Sequence, residues 1–245
     1  MRICGLFRRS GYSVGAQFWR IALLNTFMVR VVAPILRLLL HPRVEGLRNV
    51  PPSGPLIVAS NHLSFIDSFI IPLALLPREI TFIAKAEYFD RPGLKGAFSR
   101  WFMTSLGHVP VERGTQRAAM GALDQAIGIV DSGKAFAIYP EGTRSHDGRL
   151  YRGRTGVGAL VLGSGARVLP VGVIGTDRMQ PLGKSLPTPF ARVTVRIGEP
   201  LEFGQYENDP PARARRAITD EVIQAIQKLS GQEYTGVYND RGPVT

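Results

Sequence analysis

Short apolar runs recur along the chain at residues 55–60, 80–84, 109–111, 135–139, 168–174 and 192–197. Each is bounded by glycine, proline or polar residues and has the length of a buried strand. Between them lie stretches with helical patterning, near 65–76, 93–105, 115–132, 155–164 and 213–230. The last begins after Pro210 and Pro211 and stops before Gly231, which are ordinary helix start and stop signals. Strands alternating with helices predict an α/β fold, a largely parallel or mixed sheet flanked by helices. Residues 42–245 are of single-domain size and carry no internal repeat or low-complexity tract. Residues 182–189, with two prolines and a glycine, read as a loop at the rim of a pocket. The segment after Tyr234 is expected to be disordered.

The pattern changes before residue 42. Residues 18–40 are apolar on nearly every side but are interrupted by Arg20, Arg30 and Arg37. Spanning a bilayer takes ~20 mainly apolar residues. The uncharged run between Arg20 and Arg30 is nine residues, and Pro34 would kink or break a continuous helix. An arginine near the middle of a span costs about 2.5–3.5 kcal/mol. A basic region over 1–41 with an interfacial, two-segment helical anchor is therefore expected, its arginines reaching lipid phosphates. A spanning helix, or one docked on the protein's own core, is the alternative.

Charge sharpens this picture. The formal net charge is +11, and residues 1–50 hold eight arginines against Glu45 alone, a local +7 that leaves +4 for the rest. A cationic stretch beside an apolar one favours an anionic lipid surface, so the expected location is peripheral, on the cytoplasmic face of the cell membrane. The scattered arginines argue against a secretory signal. The single cysteine, Cys4, excludes an internal disulfide. A pI near 10.4 raises nucleic-acid binding as a possibility. The basic excess lies beside the apolar segment, and no aromatic-basic platform or zinc module appears, so nucleic acid is not an expected partner.

Candidate chemistry begins at Asn61-His62-Leu63-Ser64-Phe65-Ile66-Asp67-Ser68. An imidazole accepts a proton at one nitrogen only if the other is held in the right tautomer, a task for a nearby carboxylate. On one continuous helix, residues five apart sit about 140° apart, on different faces. The pair therefore makes sense with His62 on the loop entering a helix and Asp67 in or near its first turn. A second block, from Gly107 to Arg113, ends in a basic residue after a β-like run. A third, Tyr139-Pro140-Glu141-Gly142-Thr143-Arg144-Ser145, follows the apolar run at 135–138. The break at Pro140 and the turn at Gly142 set Glu141 and Arg144 at a strand's carboxyl end, where open α/β sheets build their sites. A fourth block, 168–174, is apolar around Pro170.

These four blocks, in this order, resemble the glycerolipid acyltransferases typified by 1-acylglycerol-3-phosphate acyltransferase, over roughly residues 42–232. One departure is Pro110-Val111, where an aromatic commonly precedes the acidic residue and Arg113. The resemblance implies acyl transfer from acyl-CoA or acyl-carrier protein to the free hydroxyl of a lysophospholipid. The leading acceptor is 1-acylglycerol-3-phosphate. It also implies a site with His62 and Asp67 as catalytic residues and Arg113, Glu141, Gly142, Thr143, Arg144 and Lys85 at the acceptor.

The chemistry agrees with that reading. Histidine suits removal of a hydroxyl proton near neutral pH. A thiolate of pKa about 8.5 leaves readily, so no strong general acid is required. Ser64 and Ser68 lie outside any nucleophile elbow and Cys4 is remote, so direct transfer without an acyl-enzyme is expected. Guanidinium groups bind phosphate through paired, charge-assisted hydrogen bonds, which singles out Arg144 and Arg113 ahead of Lys85. Glu141 would orient the acceptor or Arg144, and the Gly142 amide is a candidate oxyanion donor. His108 and His146 do not make a metal site with His62, since no ligand spacing supports one, and no cofactor is expected. Gly153, Gly156 and Gly158 do not match a phosphate-loop spacing. They read as the approach to a small-residue helix, with Arg152 and Arg154 adding positive potential at the site mouth. The competing readings are another phosphorylated or glycolipid acceptor, a non-catalytic membrane-binding relative, and a nucleic-acid binder.

Overall fold

The computed structural model describes residues 42–85, 93, 96, 100, 109–111, 116–184, 186–188 and 191–240. The expected anchor over 1–41 lies outside them. Among the described residues, seven strands form one sheet: β1 (Arg43–Glu45), β2 (Leu56–Ser60), β3 (Ile80–Lys85), β4 (Val109–Val111), β5 (Ala135–Ile138), β6 (Arg167–Ile174) and β7 (Thr194–Ile197). Their order is β1-β7-β6-β2-β5-β3-β4. The five strands from β6 to β4 run parallel. β7 is antiparallel to β6, and β1 is parallel to β7. The sheet is thus mixed and largely parallel.

The helices are α1 (Asp67–Leu75), α2 (Gln116–Asp131), α3 (Gly156–Ser164), α4 (Thr176–Met179) and α5 (Pro211–Ser230). Five strands and four helices fall where the patterning put them, within about two residues at their ends, and β4 coincides with its run. In the expected helix over 93–105, residues 93, 96 and 100 are described and are helical. Helix α5 starts at Pro211 itself, since proline's fixed φ and missing N–H suit a first helical position.

The alternation within β2 sets the layering. Leu56 and Val58 face a core completed by α1, and Ile57 and Ala59 face one completed by α2, α3 and α5. A strand covered on both faces reads as a continuous apolar run because neither side meets water. Helix α5 is amphipathic, with Ala214, Ile218, Val222 and Ile226 repeating every fourth residue and all buried. Full burial of each of its larger side chains contributes about 1.5–3 kcal/mol. Gly172 of β6 lets α5 sit close, since a Cβ there would stand 2.6 Å from the Ser230 nitrogen.

Three features escaped the patterning, one of them the four-residue helix α4, which is too short to show a helical period. β1 is three residues long with two charged side chains, too short and polar to signal a strand. It is held beside β7, where Arg196 pairs with Glu45 at 3.0 Å. The segment after Tyr234 is not disordered over 235–240. Leu150 N–H donates to the Glu233 carbonyl, Thr235 N–H to the Leu150 carbonyl, and Arg152 N–H to the Val237 carbonyl, each at 2.9 Å. Backbone pairing needs no apolar period, which is why composition gave no sign of it. Among the described residues, no helix is long and apolar enough to cross a membrane.

Candidate active site

β2 and β5 are sheet neighbours, and the chain leaves their carboxyl ends into two loops that meet. The first, after Ser60, is anchored by buried Asn61. Its Oδ1 accepts from Val173 N–H at 2.7 Å and its Nδ2 donates to the Val173 carbonyl at 2.8 Å. The second loop runs from Tyr139 past Ser145. Ser145 N–H donates to the His62 carbonyl at 2.7 Å, and His62 N–H donates to Glu141 Oε1 at 3.1 Å. The histidine is thus held through its backbone by the block that follows β5.

His62 lies on the loop and Asp67 opens α1, the placement that their spacing demanded. His62 Nδ1 stands 2.9 Å from Asp67 Oδ2. A carboxylate only accepts, so Nδ1 carries the hydrogen of this bond, and in the neutral ring Nε2 is then the nitrogen with the lone pair. Asp67 Oδ2 also accepts from Leu63 N–H at 2.7 Å and Ser64 N–H at 2.8 Å. The acid is fully buried, while the imidazole side chain remains 16% exposed and within reach of a substrate. On one face the ring stacks against Tyr139, centroids 3.8 Å apart and planes 8° from parallel. The Tyr139 hydroxyl lies 3.0 Å from Ser68 Oγ, and burial and the Asp67 charge push it well above its ordinary range. A neutral phenol therefore flanks the imidazole.

Glu141 is buried, and both its oxygens are engaged by backbone. Oε2 accepts from Tyr151 N–H at 2.9 Å, as Oε1 does from His62. It braces two loop segments, and its hydrogen-bond partners are backbone amides rather than Arg144, which corrects the expectation that it orients that side chain. Burial raises its carboxyl to about 7, against the pull of those two amides. Gly142 takes a left-handed φ of 78°, and its N–H donates to the Tyr139 carbonyl at 3.0 Å. That amide closes the turn, so the expected oxyanion donor is already used. Thr143 and Arg144 are half-buried. Among the described residues, the Arg144 guanidinium has no hydrogen-bond or ion-pair partner, which leaves it free for an anion.

The structure therefore brings His62, Asp67, Glu141, Gly142, Thr143 and Arg144 together. Arg113 and His108 lie outside the described residues, and only the backbone of Lys85 is described, at the end of β3 against Val111. His146 is half-buried in the second loop. Among the described residues, no group of three or more histidine, cysteine, aspartate or glutamate side chains could hold a metal. Sequence reasoning missed Tyr139 as a partner of His62; its place beside the strand break was the available signal. It also missed Asn239, buried near the carboxyl end, whose Nδ2 donates to the Arg144 carbonyl at 3.1 Å. No local pattern marks that contact across the fold.

Comparison with known proteins finds a family model described as Acyltransferase matching residues 41–174. The chloroplastic 1-acyl-sn-glycerol-3-phosphate acyltransferase BAT2 of Brassica napus is 33% identical over 73% of this chain and 50% of its own length. The 1-acyl-sn-glycerol-3-phosphate acyltransferase of Bacillus subtilis (strain 168) is 24% identical over 84% of this chain and 96% of its own. The chain spans about half the length of the chloroplastic relatives and of the Chlamydomonas reinhardtii relative that it matches. Among solved structures, the 1-acyl-sn-glycerophosphate acyltransferase PlsC from Thermotoga maritima aligns with a TM-score of 0.62 and 26% identity. That alignment covers 90% of this chain and 83% of PlsC.

Proposed function

The chain belongs to the Acyltransferase family, and from that premise we propose that it acylates the free hydroxyl of 1-acylglycerol-3-phosphate, giving phosphatidic acid. The observation that carries this reading is the His62–Asp67 pair at 2.9 Å, on a loop braced by the block that holds Arg144. The names of the relatives support the acceptor. In the proposed mechanism, His62 Nε2 takes the acceptor's hydroxyl proton as its oxygen attacks the thioester carbonyl. A C–O bond forms, the C–S bond breaks, and the departing thiolate receives the proton from the imidazolium. Asp67 fixes the tautomer and stabilises the imidazolium.

Direct transfer is favoured because nearby hydroxyls are engaged in structure. Ser64 Oγ donates to the Gln180 carbonyl at 2.7 Å, and Ser68 Oγ meets Tyr139. Arg144, with Arg113, binds the phosphate. A guanidinium without a partner among the described residues, on the loop that braces the base, favours an anionic acceptor over a neutral glycolipid. The donor is acyl-CoA or acyl-carrier protein, and no cofactor takes part. The domain is 42–245, working on an anionic membrane surface at its cytoplasmic face through the segment 1–41.

Incubation of purified protein with lysophosphatidic acid and palmitoyl-CoA should release free CoA and form phosphatidic acid, and His62→Ala should abolish both. Full activity in His62→Ala would remove the histidine from the mechanism. Silence of a folded wild type across CoA and carrier-protein donors and several lyso-lipid acceptors would favour a non-catalytic membrane protein.

A further inference from the structure

We propose that residues 232–240 act as a strap that positions Arg144 for the acceptor's phosphate, with Asn239 as the positioning residue; this rests on the function proposed above. The strap lies along the loop after β5. Gln232 Nε2 donates to the Gly148 carbonyl at 2.7 Å, and the backbone pairings at Leu150 and Arg152 continue its course. Tyr238 then lies under two arginines of that loop, its ring centre 5.2 Å from the Arg152 guanidinium carbon and 5.6 Å from that of Arg154. Arg216 of α5 donates to both the Gly153 carbonyl, at 2.8 Å, and the Tyr238 hydroxyl, at 3.3 Å. The strap is therefore fixed on the loop before it reaches Asn239.

At Asn239 the contact becomes specific. The peptide group between Arg144 and Ser145 is held at both ends, its carbonyl by Asn239 Nδ2 at 3.1 Å and its N–H by the His62 carbonyl at 2.7 Å. That peptide joins the catalytic loop to the strap, and it sets the backbone from which the Arg144 side chain leaves. Asn239 is buried, yet its Oδ1 has no partner among the described residues. A half-satisfied buried amide is a poor contributor to folding stability. What it holds in place is the better account of its position. Binding of a phosphate by paired guanidinium groups is sensitive to ångström-scale misplacement of either one, Arg144 included.

The test compares full-length wild type, Asn239→Ala, the isosteric Asn239→Asp (which cannot donate) and Arg144→Ala, in steady-state kinetics and hydrogen exchange. Both Asn239 variants should raise KM for lysophosphatidic acid about tenfold or more, with kcat and the donor KM within about twofold. Exchange should quicken over residues 142–152 and stay unchanged in β2 and β6. Parallel loss of kcat and KM with faster exchange throughout would make Asn239 merely structural and overturn the proposal. So would unchanged KM and unchanged exchange in a wild-type-active background, which leaves the acyltransferase reading standing. If folded wild type is silent across the CoA and carrier-protein donors and the lyso-lipid acceptors, that reading fails instead. Exchange over 142–152 then decides alone whether Asn239 positions the loop: faster supports it, unchanged overturns it.

Discussion

Asp67 illustrates how one side chain serves fold and chemistry at once. Its Oδ2 accepts three N–H groups, from the His62 ring and from the Leu63 and Ser64 backbone, while Oδ1 is buried without a partner. In Asp67→Asn the amide oxygen can take the first position and the amide nitrogen the second. The three donors stay satisfied and the charge is lost. Turnover should fall by up to ~10⁴, while unfolding in urea shifts by only about 1–2 kcal/mol. Asp67→Ala should lose both turnover and at least about 2 kcal/mol, since buried backbone donors are orphaned. Near-wild-type turnover in Asp67→Asn would remove the carboxylate from the mechanism. Glu141 makes a pH-dependent case. Its carboxyl sits at about 7 when folded, above its ordinary 4.5, so the folded state binds more protons between those values. Its contribution to stability is complete below pH 4.5 and is lost as pH rises through 7. Glu141→Gln is neutral throughout but leaves one of two amides without an acceptor. It should melt below wild type at pH 4.5 and close that gap towards pH 7, as thermal scans across the range will show. A constant gap would mean that Glu141 does not titrate there.

The elements were legible where the apolar period is long or continuous. β2, β5, β6, α1 and α5 bury their runs, and burial on one or two faces writes itself into the order of residues. β1 was not legible, because three residues carry no period, nor was the strap, because backbone hydrogen bonds leave no side-chain signature. Glycines sharpen the same distinction. Gly158 of α3 lies against α5, where an added Cβ would overlap the Arg215 carbonyl, whereas Gly121 of α2 meets nothing within 4 Å. Gly158→Ala should therefore destabilise by about 1–3 kcal/mol through overpacking. Gly121→Ala should stabilise by about 0.5–1 kcal/mol, since a helix interior disfavours glycine. Melting temperatures of the two variants check both signs, and equal shifts would contradict the close crossing of α3 and α5.

For the whole molecule, the concentration of +7 in residues 1–50 predicts binding to vesicles containing anionic lipid. Each arginine near such a surface is worth about 1 kcal/mol, and added salt screens the attraction. Co-sedimentation should fall steeply with salt and with removal of the anionic lipid; salt-independent binding would point to apolar insertion alone. The sequence by itself determined the α/β layering, the loop placement of His62 against Asp67, and the nearness of Glu141 and Arg144 to a strand end. Those follow from local spacing: a period of two or 3.6, a proline break, a glycine turn. Tertiary structure alone decided which groups are already spent. The Glu141 oxygens and the Gly142 amide brace the loops, Tyr139 lies on the imidazole, and Asn239 reaches Arg144 from 95 residues away. Such contacts depend on how separate loops meet across adjacent strands, and no local order of residues records that.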